Sequence, residues 1–201
     1  MSGRLNIVPD PAFVDLRPVL AERLERIASS VRAEQFGTLL GPLMEQVLRK
    51  SFQEAGADEG TVWLLDGAGE HLVPAHNTGP RAAELVGKFK QPLNAGLICM
   101  VFANEQPFLE NEVWKNQHQS KLLDSQLQQQ TCAMIAVPFY FLRACRGVIS
   151  CVQLKVDVAP ASATRAGFRP ADLESVQRAA ALLSESIELQ LLSRTVGWSS
   201  E

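Results

Sequence analysis

The sequence has no strong excess of charge of either sign. Its 201 residues include 19 basic and 22 acidic side chains, for a net charge of −3, and the basic residues are spread along the chain. A nucleic-acid-binding surface needs clustered Lys and Arg residues, so we expect no nucleic-acid partner.

Long apolar runs are also lacking. The strongest one, residues 133–142, is much shorter than the roughly 20 residues that cross a bilayer. Residues 1–13 do not show the basic and then apolar pattern of an export signal. These absences predict a cytoplasmic protein that makes no membrane contact.

The sequence contains few of the residues that metal or covalent chemistry needs. Its four cysteines lie among apolar neighbours without the Cys-x-x-Cys spacing of metal sites, so we expect buried free thiols and no metal centre. They are Cys99, Cys132, Cys145 and Cys151. Neither a Ser-His-Asp order nor a phosphate-binding Gly-rich loop is visible, and we therefore expect a protein that is not an enzyme.

What the sequence does contain is two strand pairs on either side of a long, irregular excursion. The first pair is residues 61–66 and 71–77, joined by a Gly-Ala-Gly turn that suits a hairpin. The second pair is residues 131–141 and 145–155. This order differs from repeated strand and helix units. It predicts an antiparallel sheet with a cavity that the excursion roofs.

Apolar stripes predict helices at both ends of the chain. The first helix begins near Pro18, and the second runs from Pro42 to a stop at Gly56. The last helix begins at Pro170 and carries apolar residues at helical spacing through residues 173–191. In the first helix the stripe repeats in steps of four and three, at Leu20, Leu24, Ile27 and Val31.

The stripe of the first helix is about two heptads long. A helix with so short a seam is marginal by itself and needs an apolar partner. We therefore predict a homodimer that is built from the terminal helices. The alternative is that the first helix folds back on its own domain.

Six short motifs follow one another along the chain in a definite order. They are the strand 62–66 ending in Leu-Leu-Asp, the Gly-led helix 96–103, the turn Gln106-Pro107, the strand 134–139 with its Val-Pro, the Gly-Val-Ile strand 147–154, and Phe168 followed by Pro170 and Asp172. In this order and spacing they resemble the GAF domain family over roughly residues 36–194.

The resemblance implies an α/β fold of the α+β type with a central antiparallel sheet of about six strands. Terminal helices pack on one face of the sheet, and short helices and loops roof a small-molecule pocket on the other. It also implies three regions. Residues 1–35 form an N-terminal extension with a dimerisation helix, residues 36–194 form the GAF-like domain, and residues 195–201 form a C-terminal tail.

Aromatic and polar residues of the sheet and the excursion are the candidate ligand-binding residues. Small-molecule pockets are mostly apolar with a few orienting polar groups. Two histidines could accept a ligand proton or bind haem, although isolated histidines are more often surface or core residues, and the aromatic residues could equally form a packed core. The candidates are Trp63, His76, Asn77, Cys99, Phe102, Phe108, Trp114, Gln117, His118, Thr131 and Met134.

The resemblance also limits the cofactor, whose identity stays unknown. Bilin-binding members attach their chromophore through a Cys that residues 118–121 do not contain, so a covalent bilin is not expected. Cyclic-nucleotide-binding members carry an Asn-Lys pair where this chain has Leu154-Lys155. It keeps their later Phe and Asp as Phe168 and Asp172, so a cyclic nucleotide stays open.

The enzymatic branch of the family, free methionine sulfoxide reductase, carries a motif like Gly-Val-Cys-Gly in the short helix. Here the thiol of Cys99 comes one residue later. A shift of one residue turns a helical side chain by about 100°, so we expect this thiol to point away from where that chemistry occurs.

We therefore predict a non-catalytic regulatory protein that senses a small molecule. Binding would order residues 117–130 and shift the terminal helices, which pass the signal to a separate effector protein. Two alternatives remain. One is a degenerate module that only dimerises or acts as a scaffold, and the other is a thiol-dependent reductase.

Overall fold

The chain folds around one six-stranded antiparallel sheet. The computed structural model describes Val8, residues 10–155 and residues 166–198. Within this part of the chain the strands are β1 Glu59–Leu65, β2 His71–Asn77, β3 Gln91–Pro92, β4 Phe108–Glu110, β5 Thr131–Phe141 and β6 Ala144–Leu154. Their order in the sheet is β3-β2-β1-β6-β5-β4, and every neighbouring pair is antiparallel. Both predicted hairpins and the α+β fold class are confirmed.

The helices divide between the two faces of the sheet. They are α1 Pro11–Val14, α2 Arg17–Ser30, α3 Ala33–Glu54, α4 Ala82–Leu85, α5 Leu97–Asn104, α6 Leu122–Leu127 and α7 Pro170–Val196, with a 3-10 turn at Val113–Lys115. The terminal helices α2, α3 and α7 pack together on one face, and α5 and α6 lie with their loops on the other. None of the helices in the described ranges is both long and apolar enough to cross a bilayer.

Helix α3 is longer than the sequence predicted. The prediction placed its start at Pro42, where proline suits a first turn, and its stop at Gly56, whose φ of 74° fits that role. The structure adds residues 33–40 before it. A break at Gly41, with φ 64° and ψ 153°, separates the two parts of the helix, so Pro42 does begin a helical segment.

The main hydrophobic core lies between the sheet and the terminal helices. Alternate residues of β1 point into it, including Val62 and Leu64, and α7 contributes Val176, Leu183 and Ile187, all completely buried. Truncation of such a side chain to Ala costs about 2–5 kcal/mol. This face of the sheet is a packed core with little room for a ligand.

The apolar stripe of α2 is largely used inside the molecule. Leu24, Ile27 and Val31 pack against the main core, and Glu25 forms an ion pair with Arg146 of β6. The first helix therefore folds back on its own domain, which weakens the reason given for a dimer through this stripe. The homodimer itself stays a prediction.

The predicted boundaries lie close to features of the described chain. Helix α7 continues to Val196, two residues into the predicted tail, and Gly197 ends it with φ 74°. Residues 1–7 and 9 of the predicted extension and residues 199–201 of the predicted tail lie outside the described residues.

Candidate ligand-binding cavity

A small cavity lies on the face of the sheet opposite the terminal helices. It is about 50 Å³ in volume, which is room for about three or four water molecules. We call it the roofed cavity. Its lining residues are Glu59, Thr61, Trp63, Gln91, Gly96, Leu97, Ile98, Gln119, Ser120, Leu123, Asp124, Gln129, Thr131, Met134, Ser150 and Val152.

Strand alternation builds the floor of the roofed cavity. Glu59, Thr61 and Trp63 are spaced by two on β1, so their side chains share the face away from the main core. On the neighbouring strand β6, Ser150 lies opposite Thr61 on the same face of the sheet. Its Oγ accepts a hydrogen bond of 2.9 Å from the Trp63 indole Nε1. The floor is thus formed by two paired strands of the sheet.

Residues 117–130, which we call the roof segment, close the cavity from above. Asp124 of α6 accepts hydrogen bonds from the backbone N and the Oγ1 of Thr131 on β5, at 2.9 and 2.7 Å. It also accepts one from Gln119 Nε2 at 3.2 Å. One carboxylate therefore ties α6 to Gln119, near the start of the roof segment, and to Thr131 of β5, directly after its end.

Glu59 is a buried carboxylate at the edge of the cavity. Only 6% of the residue is exposed, and its hydrogen bond from Gln129 Nε2 is long, at 3.5 Å. Burial raises the pKa of Glu59 above its ordinary value. Gly79 makes the position available, because a Cβ at residue 79 would lie 2.0 Å from Glu59 Oε2.

The structure brings three of the predicted site residues to the roofed cavity. Trp63, Thr131 and Met134 are among its lining residues. Phe102 and Phe108 lie nearby but pack into the small apolar cluster around Trp63, and they do not line the cavity. For these two residues the structure therefore shows the core placement that the sequence had left open.

His76 and Asn77 lie outside the roofed cavity. Both line an open groove beside α3, together with Glu45 and Arg49. Burial lowers the pKa of His76 below its ordinary value. Asn77 acts on the cavity indirectly, because its Nδ2 donates a 2.8 Å hydrogen bond to Oγ1 of the floor residue Thr61.

The remaining predicted residues lie around the short helices and do not line the roofed cavity, and among them Cys99 is only 3% exposed and belongs to the apolar cluster around Trp63. Cys99, Gln117 and His118 share an outer groove, and Trp114 lines another. The Cys99 thiol donates to the Pro92 carbonyl at 3.3 Å, and burial raises its pKa to about 11. The thiol is therefore protonated at neutral pH. No group of His, Cys, Asp and Glu side chains in the described chain is arranged to hold a metal ion.

Most of the buried polar residues surround the roofed cavity, and sequence reasoning missed nearly all of them. Of the eight in the described part of the chain, five line the cavity, namely Glu59, Thr61, Gln91, Thr131 and Ser150. The alternation that places Trp63 also places Thr61 and Glu59, so two of them could have been found. Gln91 and Asp124 carry no such signal, because they come from irregular segments.

The comparisons with known proteins agree with the observed fold. The sequence model of the GAF domain matches residues 40–187. Among curated proteins, no match is found. Solved structures do match, at low sequence identity.

Three of these structures show the range of similar proteins. The GAF domain of an Acinetobacter phosphoenolpyruvate-protein phosphotransferase has a TM-score of 0.57 and 16% identity, over 94% of this chain and 99% of its own. The GAF-B domain of DevS from Mycobacterium smegmatis has a TM-score of 0.55 and 20% identity, over 75% and 94%. A free methionine-R-sulfoxide reductase from Neisseria meningitidis, in complex with its substrate, has a TM-score of 0.56 and 18% identity, over 96% and 98%. At such identities the likeness shows the fold alone.

Proposed function

Because the chain belongs to the GAF domain family, we propose that it is a non-catalytic regulatory protein that senses a small molecule in the roofed cavity. GAF domains commonly sense small molecules in signalling. The observation that supports this function here is the concentration of buried polar side chains around one small cavity. Each of these side chains has a hydrogen bond within the described chain, and an apolar cavity with a few placed polar groups is the usual form of a small-molecule site.

The ligand acts on the roof segment. Asp124 holds this segment to β5 through Thr131, so a ligand that contacts Asp124 or Gln119 changes the stability of the closed arrangement. A ligand shifts such an equilibrium only by its difference in affinity for the two arrangements. Strand β5 also packs against α7 on the opposite face of the sheet, and this contact connects the cavity with the terminal helices.

The output is a change in the terminal helices that a separate effector protein, or a second copy of the chain, detects. Exposed apolar residues of α7 are available for such a contact, including Leu182 and Leu189. A packed core moves between discrete arrangements rather than deforming continuously, so small shifts at the cavity suffice.

The thiol-dependent reductase is the weaker alternative. The thiol of Cys99 lies outside the roofed cavity and is protonated at neutral pH. Cys151 lies on the other face of the sheet in the main core, where burial raises its pKa to about 12. Nucleophilic cysteine chemistry needs a thiolate, and neither residue supplies one beside the cavity.

Native mass spectrometry of the freshly purified full chain tests the sensor. We expect a retained small molecule that mild denaturation releases. Val152→Phe fills the cavity with a larger apolar side chain and abolishes the retained mass. Leu122→Phe, on the exposed side of α6, is the matched control and leaves it unchanged.

Two outcomes contradict the sensor. The first outcome is that neither a retained nor an added small molecule binds in the cavity, which favours the degenerate scaffold. The second outcome is reduction of methionine sulfoxide by the wild type that Cys99→Ser abolishes, which favours the reductase.

A further inference from the structure

The amide groups around the roofed cavity leave hydrogen-bond acceptors uncovered. Three glutamines line it, and each uses its Nε2 to donate to a group that can only accept, which fixes the orientation of each amide. The partners are the Ala95 carbonyl for Gln91, Asp124 for Gln119 and Glu59 for Gln129, at 2.9, 3.2 and 3.5 Å. Among the described residues, nothing donates a hydrogen bond to the three Oε1 atoms.

Glu59 adds a charged acceptor to this set. The residue is 6% exposed, and from the described chain its Oε2 receives no hydrogen bond. This oxygen is not one of the fully enclosed, unbonded side-chain atoms of the described chain, so a small donor molecule can reach it.

Positive charge does not balance these acceptors within the cavity. Glu59 and Asp124 are both in the lining, whereas no Lys, Arg or His is among the described residues that line it. Arg81 acts on Glu59 from outside, but its guanidinium is bound to Glu84 and to the Leu127 carbonyl. The cavity therefore presents a negative field with acceptor oxygens.

We propose that the roofed cavity binds a small organic cation with N–H donors, such as a short primary ammonium ion, and rejects anions. The inference rests on the proposed sensing function and names the ligand class for the same cavity. The ammonium group donates to Glu59 and to glutamine oxygens, since charge-assisted hydrogen bonds are the strong ones. An anion of the same size meets like charge at Glu59 and Asp124.

Size and apolar surface limit the rest of the ligand. A space for about three or four water molecules holds a cation of about as many non-hydrogen atoms. The alkyl part contacts apolar lining side chains, among them Leu97, Leu123 and Val152. Ethylammonium has a suitable size and shape, and it serves as the probe.

Isothermal titration calorimetry on the full chain tests the proposal at constant ionic strength. The probes are ethylammonium chloride, sodium propionate as an anion of similar size, and 1-propanol as a neutral molecule. We expect binding of ethylammonium and not of propionate. Glu59→Gln weakens ethylammonium binding at least tenfold, and Val152→Phe abolishes it. Glu112→Gln, which changes an exposed carboxylate, is the control and leaves the affinity unchanged.

The possible results separate the ligand class from the sensing function. One result is that propionate or propanol binds, that Val152→Phe abolishes this binding, and that Glu59→Gln does not. This result overturns the cationic ligand and leaves the sensor intact. Absence of ethylammonium binding, or equal affinity in Glu59→Gln, also overturns it, whereas the retained mass in native mass spectrometry decides the sensor independently. If Val152→Phe does not fold, the Glu59→Gln comparison decides alone.

Discussion

Glu59 places a carboxylate in a part of the protein where water has little access. Burial is the largest cause of its raised pKa, and the negative charges of Asp58 and Asp124 raise the pKa further. The hydrogen bond from Gln129 and the positive charge of Arg81 lower it. A carboxylate that is more easily protonated in the folded state than in the unfolded state lowers stability when it is ionised. The ionised form of Glu59 that binds a donor is therefore also the form that lowers the stability of the free protein.

We expect Glu59→Gln to stabilise the free protein at neutral pH by about 1 kcal/mol, because the amide removes a buried charge and keeps the shape. In the wild type the free energy of unfolding falls as pH rises from the ordinary value of 4.5 through the raised pKa of Glu59. The advantage of the variant is therefore full above that pKa and vanishes near pH 4.5. Urea unfolding at pH 4.5 and pH 7.5 measures it.

The control for this experiment is Glu112→Gln, whose carboxylate is exposed beside Lys115. It should change stability little at either pH, because surface ion pairs contribute about 0–1 kcal/mol. Equal stability of Glu59→Gln and the wild type at pH 7.5 would contradict the interpretation of Glu59 as a destabilising buried charge.

Residue patterns explain which site residues the sequence could reveal. Trp63 and Thr131 were found because aromatic and polar side chains within apolar strands are visible in the sequence. Glu59 was missed because the prediction began β1 at Thr61, two residues after the strand begins. The pairing of Trp63 with Ser150 joins residues 87 positions apart, and no local pattern contains it.

At the scale of elements, long strands and helices could be predicted and short ones could not. Strands β5 and β6 and helix α7 carry many residues with the right period, so each identifies itself. Strands β3 and β4 have two and three residues and exist only because β2 and β5 pair with them. Such edge strands depend on tertiary contacts, which the sequence does not show locally.

Helix α6 owes its position to few contacts. It has six residues, and only Leu127 among them is buried. Isolated helices of this length are unstable in water, so the hydrogen bonds from Thr131 to Asp124 contribute much of what keeps the roof segment closed. The element next to the cavity is therefore among the most easily opened parts of the fold.

We expect Thr131→Val to speed amide hydrogen exchange in residues 122–130 by at least about tenfold. The substitution keeps the shape of the side chain and removes one donor to the Asp124 carboxylate, and hydrogen bonds to charged groups contribute about 1.5–3 kcal/mol. Hydrogen exchange with mass spectrometry measures the effect while β1 and β6 serve as internal references.

Thr61→Val is the matched control for the roof segment. It removes a hydroxyl that lines the same cavity and accepts a hydrogen bond from Asn77. In the described chain this hydroxyl makes no hydrogen bond to α6. Its exchange in residues 122–130 should equal that of the wild type. A similar acceleration in both variants would mean that the Asp124 contacts do not hold the roof.

At the scale of the whole molecule, the sheet separates a ligand face from a helix face. The helix face covers the main core, yet the outer side of α7 keeps an apolar seam. Its residues follow steps of seven, three and four, as in a coiled coil, and are Leu182, Leu189, Leu192 and Val196. Because α2 uses most of its own stripe within the domain, we expect a second copy to cover this seam.

We expect the full chain at tens of micromolar to sediment as a dimer with twice the 22.0 kDa mass of one chain. Leu189 is 67% exposed in the single chain, so Leu189→Glu leaves its fold and thermal unfolding nearly unchanged. In the dimer the same substitution buries an unpaired charge, which costs several kcal/mol and converts the protein to monomer. Gln190→Glu adds the same charge at an exposed position turned by about 100° on α7 and leaves the dimer intact. A wild-type protein that sediments as a monomer, or a Leu189→Glu variant that still dimerises, would show that α7 does not form this interface.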